Sequence, residues 1–271
     1  MSAEPADRPD ATANGKPAEG LPGPAVNGKP AERPSGPAVD SEPAGRPSLA
    51  AANGELAEGP PGAAARGGGK GRFDELARTV LARPARLGGV RLVAVDGRAG
   101  SGKTTFAARL ARALRAEGSA VAELHTDDFL DGWTKLLAWQ PRLREWVFEP
   151  FRAGRAGALR RYDWSAERLE DAWSALEVPQ TLVVEGVGSA SAAMRPDLTL
   201  GVFVEAPRAL RLARGLERDG EALRPQWERW MADEDVHFGG DPTAGAVDLR
   251  VDGAPRVEHD PQIEYIIVAS G

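Results

Sequence analysis

The chain has 271 residues, with 34 Lys or Arg against 40 Asp or Glu, which gives a net charge of -6 at neutral pH. This acidic balance argues against a broad nucleic-acid surface, and the absence of cysteine excludes disulfides, thiolate metal sites and cysteine nucleophiles. No apolar run reaches the length of a membrane span, and the N-terminus lacks the pattern of a secretory signal. We therefore expect a cytoplasmic protein that binds neither membranes nor nucleic acid.

The first 70 residues differ in kind from the rest of the chain. They are rich in Ala, Pro and Gly and contain a degenerate 13-residue repeat that first appears at Asn14. The repeat has no apolar face that stacking could bury, and the segment has too few large apolar side chains to offset its ordering entropy. The composition predicts a disordered tail over residues 1–70 and a folded domain over residues 71–271.

The folded part opens with a helix, a strand and a second helix. Phe73, Leu76 and Val80 have helical spacing. The apolar, valine-rich run 90–96 is typical of a buried parallel strand. In the segment 105–117, apolar residues recur every four positions on one predicted helix face.

Between that strand and the second helix, residues 97–104 read G-R-A-G-S-G-K-T, a full match to G-x-x-x-x-G-K-[ST]. Glycines let such a loop turn its N–H groups toward phosphate oxygens. Lys103 can reach the β- and γ-phosphates, and the Thr104 hydroxyl can bind Mg²⁺. The predicted nucleotide-binding residues are Gly97, Arg98, Ala99, Gly100, Ser101, Gly102, Lys103, Thr104 and Thr105.

Four more strands are predicted along the chain, at 120–124, 181–187, 200–205 and 247–251. Helical patterns separate most of them, and alternation of strands and helices is typical of a parallel sheet with helices on both faces. The fold class is therefore α/β, a P-loop NTPase core with a mainly parallel five-stranded sheet. Sites in such sheets lie beyond the carboxyl ends of the strands.

Acidic residues follow two of these strands. Glu185 ends an apolar strand, the position at which P-loop enzymes hold Mg²⁺, so Glu185 and Thr104 are the predicted metal ligands. Asp127 and Asp128 follow the strand at 120–124, either as active-site carboxylates or as a pair that starts a loop or caps a helix. His125 borders the same place, whereas His237 and His259 are expected in ordinary structure.

The region 130–180 is too long for a simple crossover and is predicted to be an acceptor-binding insert. It contains five of the seven tryptophans, which can stack on a flat ring or simply fill a core. These are Trp133, Trp139, Trp146, Trp164 and Trp173.

The segment 207–224 contains arginines at helical spacing. Arg208, Arg211, Arg214 and Arg218 fall on one helix face and repel one another unless an anion lies opposite. The pattern fits a solvated amphipathic helix, but after a P-loop it favours a lid that closes over the transferred phosphate.

Together these segments resemble the uridine kinase family of P-loop phosphotransferases over about residues 88–253. The matching motifs are G-R-A-G-S-G-K-T-T, T-D-D-F, R-Y-D-W, L-V-V-E-G and R-L-A-R-G-L-E-R-D. The resemblance implies that Asp127 is the base for a sugar hydroxyl, with Asp128 where the family often has serine, and that Glu185 binds Mg²⁺. It also implies a nucleoside pocket and a lid, whose residues are Tyr162, Asp163, Trp164, Arg211, Arg214 and Arg218.

The chain also departs from that family. Gly215 replaces one lid arginine, the E-R-G-R-D stretch after the lid is missing, and the insert does not follow the usual nucleoside-pocket pattern. The sequence therefore predicts an ATP- and Mg²⁺-dependent kinase that acts on a small molecule, most like a uridine kinase. A kinase of another hydroxylated metabolite and a non-catalytic nucleotide-dependent switch or adaptor remain the alternatives.

Overall fold

The computed structural model describes residues 69–268, with the exception of 131, 134, 135, 164, 165 and 167. The predicted tail up to residue 68, and Trp164, lie outside the described residues. Within the part that the structure describes, no helix is both long and apolar enough to cross a membrane.

The strands, in chain order, are β1 (Lys70–Arg72), β2 (Arg91–Asp96), β3 (Val121–His125), β4 (Gly157–Leu159), β5 (Tyr162–Asp163), β6 (Arg168–Leu169), β7 (Ser174–Leu176), β8 (Thr181–Glu185), β9 (Leu198–Glu205), β10 (Leu249–Asp252) and β11 (Glu264–Ile266). The α-helices are α1 (Phe73–Ala82), α2 (Lys103–Ala116), α3 (Trp139–Leu143), α4 (Glu149–Arg152), α5 (Arg208–Asp219) and α6 (Arg224–Gly240).

The central sheet has five parallel strands in the order β10-β9-β2-β8-β3, as the sequence predicted. Alternate residues of β2 enter two different apolar clusters, Leu92 and Ala94 on one face and Val93 and Val95 on the other. Helices α1 and α2 cover the second face, while α3, α4 and part of α6 cover the first. Burial on both faces explains why these strands are continuously apolar.

A small antiparallel sheet of β1 and β11 flanks this core and was not predicted. It begins at Lys70, the last residue assigned by composition to the tail. The Tyr265 ring on β11 packs against Phe73 and Phe106 at centroid distances of 5.2 and 5.4 Å. Strands of three residues are too short to show a period in the sequence, which is why they escaped prediction.

The insert folds into a helical segment and two small antiparallel strand pairs, of which the inner one, β5 with β6, lies within the chain segment that joins the outer strands β4 and β7. Helices α3 and α4 are joined by a π-helical turn (Arg144–Phe148), and β4 pairs with β7 while β5 pairs with β6. Its tryptophans take different roles: Trp139 is fully buried in the core, whereas Trp173 is 52% exposed.

The predicted lid segment, residues 207–224, contains the α-helix α5 and a 3-10 turn, and α6 begins at its last residue. Helix α5 ends at Asp219, a 3-10 turn follows (Glu221–Leu223), and α6 starts at Arg224. Gly220 separates the helices with a φ of 97°, a backbone conformation that glycine adopts at little cost.

Candidate active site

A cleft of about 1270 Å³ opens at the carboxyl edge of the central sheet. The P-loop forms one wall of the cleft, and the ends of β3 and β8 contribute Asp127 and Glu185. Six of the nine predicted nucleotide-binding residues line it: Ala99, Gly100, Gly102, Lys103, Thr104 and Thr105. Gly97 and Ser101 are buried, and the Arg98 side chain pairs with Asp235.

The P-loop conformation depends on its glycines. Gly100 has a φ of 77°, and a Cβ atom there would lie 2.4 Å from the carbonyl oxygen of Arg211. A Cβ at Gly97 would lie 2.2 Å from the carbonyl oxygen of Val204. Any larger residue would therefore displace the loop from β9 or from α5.

The Lys103 side chain is only 8% exposed, and its Nζ donates to the Arg98 carbonyl oxygen at 3.1 Å. It lies at the first position of α2, immediately after Gly102. Its ammonium group and the N-terminal end of α2 therefore give this part of the cleft a positive potential, which favours anions.

Glu185 connects two other predicted residues. The Thr104 hydroxyl donates to Glu185 Oε1 at 3.0 Å, and His125 Nδ1 lies 2.6 Å from the same oxygen. Burial alone would raise the pKa of Glu185, but the His125 hydrogen bond and the Lys103 charge outweigh it and lower that pKa. The hydrogen bond to Glu185 raises the pKa of His125. Glu185 is therefore ionised at neutral pH and available as an oxygen ligand.

The two neighbouring aspartates are in different environments. Asp128 pairs with the Arg161 guanidinium at 3.2 Å. Asp127 is exposed to the cleft, but partial desolvation by the cleft walls and the Glu185 charge raise its pKa. A carboxylate with a raised pKa is better suited to accept a proton than one that an arginine neutralises.

A carboxylate that the sequence analysis did not single out lies beneath this site. Asp96, which ends β2, is fully buried and accepts hydrogen bonds from the amides of Gly97, Gly188 and Ala190 at 2.6, 2.8 and 2.9 Å. Burial raises its pKa to about 6. It therefore ties the start of the P-loop to the loop that follows Glu185. The available signal was an aspartate at the end of an otherwise apolar strand.

The arginines of α5 lie in different environments, which their helical spacing does not predict. Arg214 and Arg218 line the cleft, and Arg214 donates to the carbonyl oxygens of Gly100 and Gly253 at 3.2 and 3.1 Å. Arg211 is 3% exposed and pairs with the buried Glu234. Arg211 is therefore not among the residues that line the cleft, and its predicted contact with the transferred phosphate stays a prediction.

One wall of the cleft is aromatic. Tyr162 lines it together with Trp133, Trp227 and Trp230. The Trp133 ring meets Trp227 and Trp230 edge to face at 6.0 and 5.7 Å. Asp163 is exposed and is not among the lining residues described; it accepts a hydrogen bond from the Ala166 amide at 3.0 Å.

A second wall of the cleft, formed by the segment from β10 to β11, was also not predicted from the sequence. There Gly253, Pro255, His259 and Tyr265, from β10 to β11, form the wall. His259, which the sequence predicts in ordinary structure, lies on this wall. These residues follow the last predicted strand and match no motif, so no signal in the sequence placed them at the site.

The parallel sheet, the P-loop and the acidic strand ends define a P-loop α/β fold. No protein-family model matches the sequence, and no curated protein shows significant similarity to it. Among solved structures, a possible uridine kinase from Bacillus stearothermophilus aligns at 22% identity and a TM-score of 0.51, over 66% of this chain and 96% of that one. A D-glycerate 3-kinase from Cryptococcus neoformans aligns at 12% identity and a TM-score of 0.47, over 69% and 97%. At these identities the first likeness shows the fold, and it agrees with the resemblance found in the sequence.

Proposed function

We propose that the protein is an ATP-dependent phosphotransferase that acts on a hydroxyl group of a small molecule. The observation that carries the proposal is the arrangement of Lys103, Thr104, Glu185 and Asp127 around one cleft. A phosphate-binding lysine, an oxygen pair for a cation and a carboxylate with a raised pKa are the parts that phosphoryl transfer requires. The cysteine-free composition and the need for ATP suit the cytoplasm.

Mg²⁺ and ATP fit the residues present. The Thr104 hydroxyl and the Glu185 carboxylate, 3.0 Å apart, are the hard oxygen donors that Mg²⁺ prefers. Mg²⁺ needs few protein ligands, because water and phosphate oxygens complete its shell. When bound, Mg²⁺ neutralises charge on the phosphates, while the loop amides and Lys103 hold those phosphates in place.

In this proposal Asp127 accepts the proton of the acceptor hydroxyl. The hydroxyl oxygen forms a bond to the γ-phosphorus, the bond from that phosphorus to the β,γ-bridging oxygen breaks, and ADP leaves. Arg214 and Arg218, on the same cleft, are the candidates to stabilise charge on the transferred group. Most of the rate acceleration then comes from positioning and electrostatic stabilisation.

For the acceptor we propose a nucleoside first. The aromatic wall formed by Tyr162, Trp133 and Trp230 lies on the Asp127 side of the P-loop, where a flat ring could pack. The likeness of the fold to the possible uridine kinase from Bacillus stearothermophilus supports the same choice. Another hydroxylated metabolite remains the alternative, since the insert departs from the family pattern.

The test is a screen of the purified protein with ATP and Mg²⁺ against nucleosides, sugars and vitamins, with detection of the phosphorylated product. Lys103→Ala should abolish product formation and leave the fold intact, because the lysine faces the cleft rather than the apolar core. Lys70→Ala, a lysine exposed on β1 and outside the cleft lining, is the control and should keep full turnover. Full turnover in the Lys103 variant would refute the P-loop assignment. Tight ATP binding without any product would favour the switch or adaptor.

A further inference from the structure

Glu234 is a carboxylate buried beside the P-loop, and no motif pointed to it. It lies on α6 with 0% of its surface exposed. Its Oε1 accepts a hydrogen bond from the amide of Ala99 at 2.5 Å, and its Oε2 accepts one from Arg211 Nη1 at 3.1 Å. Burying a charged carboxylate is costly unless it is paired and hydrogen-bonded, and here both oxygens have donors.

The partner of Glu234 contacts the same loop residue from the other side. Arg211 Nη1 also donates to the Ala99 carbonyl oxygen at 3.3 Å, and Arg211 Nε donates to the Ala206 carbonyl oxygen at 3.1 Å. The amide and the carbonyl group of Ala99 are therefore both held by one buried ion pair, which α5 and α6 share.

The Glu234–Arg211 ion pair contacts the part of the P-loop whose backbone orientation matters most for phosphate binding. Ala99 precedes Gly100, whose own carbonyl oxygen is held by Arg214, and both residues line the cleft. The orientation of successive peptide groups in this loop decides whether their N–H groups point at phosphate oxygens. A substitution at Glu234, which is not among the residues that line the cleft, would therefore alter the cradle by displacing the Ala99 peptide.

We propose that Glu234, acting through Arg211 and the Ala99 backbone, is a positioning residue that sets the phosphate-binding conformation of the P-loop. The inference rests on the proposed function, because it assumes that the loop binds ATP. It also gives Arg211 a role different from the one its helical spacing suggested: Arg211 supports the loop instead of contacting the transferred group.

The experiment compares two buried carboxylates by isosteric amide substitution. Glu234→Gln places an NH₂ group against either the Ala99 amide or the Arg211 guanidinium, so one of the two hydrogen bonds must be lost. Asp197→Asn is the matched control: Asp197 is also buried and pairs with Arg152 at 2.6 Å, but it precedes β9, at the edge of the sheet opposite the cleft. For each full-length variant, calorimetry gives the Kd for MgATP and thermal unfolding gives the stability.

We expect the Kd of Glu234→Gln for MgATP to rise by about 10- to 100-fold, the loss of affinity that is typical when an outer partner that orients the ligands of a bound metal is removed. Asp197→Asn should lose stability but keep the wild-type Kd. The double variant Glu234→Gln with Arg211→Gln should bind about as weakly as the weaker single variant, because both substitutions break one unit.

Several results would overturn the inference. An unchanged Kd in folded Glu234→Gln would do so directly, and an equal rise in Asp197→Asn would assign the effect to general destabilisation. If Glu234→Gln does not fold, the Kd of Arg211→Lys for MgATP tests the inference instead. Lysine keeps the positive charge but cannot bond to Ala206, Ala99 and Glu234 at the same time. An unchanged Kd in Arg211→Lys would also overturn the inference. Failure of the wild-type chain to bind MgATP would instead remove the proposed function, and the inference with it.

Discussion

Asp96 should make the stability of the protein depend on pH. The carboxyl group is fully buried and raised in pKa from an ordinary 3.8 to about 6. Desolvation is the main cause, and the three backbone amides and the Lys103 charge offset only part of it. The folded protein therefore holds a proton on Asp96 in a pH range where the unfolded chain has released it.

This difference in pKa decides whether Asp96 makes the protein more or less stable as the pH rises. Because the folded-state pKa lies above the unfolded value, the contribution of Asp96 to stability is complete below pH 3.8 and is lost as the pH rises through about 6. At about 1.4 kcal/mol per pH unit, the whole interval amounts to about 3 kcal/mol. Of this, about 2 kcal/mol falls between about pH 4.5 and about pH 7.5.

Asp96→Asn removes the titration and keeps the shape. The amide oxygen can still accept from Gly97 and Gly188, but its NH₂ group faces the Ala190 amide, which leaves a buried donor unsatisfied at a cost of about 1–3 kcal/mol. The variant should be less stable than the wild type near pH 4.5. It should then gain about 2 kcal/mol relative to the wild type as the pH rises to about 7.5, because it has no charge to bury.

Urea denaturation of both proteins at about pH 4.5, 6 and 7.5 measures this directly, through the difference between the two free energies of unfolding at each pH. The comparison cancels the titration of all other groups that the two proteins share. If the difference does not change with pH, Asp96 does not carry a raised pKa in the folded state. If it changes in the opposite direction, the balance between desolvation and the three amides has been misjudged.

Four further predictions concern the site and the domain boundary. Asp127→Asn should lower kcat by about 10² to 10⁴-fold at saturating ATP, and Asp128→Asn should do less; a larger loss at Asp128 would move the base by one residue. Arg214→Ala should lower kcat by about 10³-fold with little change in the KM of the acceptor, and normal turnover would leave Arg214 as a support of the loop only. Deleting residues 1–68 should leave the free energy of unfolding nearly unchanged, because the segment lacks apolar residues that could dock. Deleting residues 1–72 also removes β1 and should cost about 1–3 kcal/mol in urea denaturation; equal stability of the two truncated chains would show that β1 contributes nothing.

The sequence alone was enough to predict the central sheet of this protein and its P-loop. A continuous apolar run followed by a glycine-rich loop is a local pattern, so β2, the P-loop and α2 could be predicted together. The same local reasoning located the other four sheet strands to within a few residues. It placed Asp127 and Glu185 at one edge, because parallel strands bring their carboxyl ends together.

Only the tertiary structure decided which partners the side chains meet. Arg211 and Arg214 share one helix face in the sequence pattern, yet one pairs with a buried carboxylate and the other lines the cleft. Sequence periodicity predicts which residues share a helix face, but it does not predict how deeply each one is buried or the charge of the residue that it contacts. Glu234 is more than a hundred residues from Ala99 in the chain, and β1 meets β11 across the whole domain. Contacts between such distant segments leave no local pattern, because packing of the complete fold creates them.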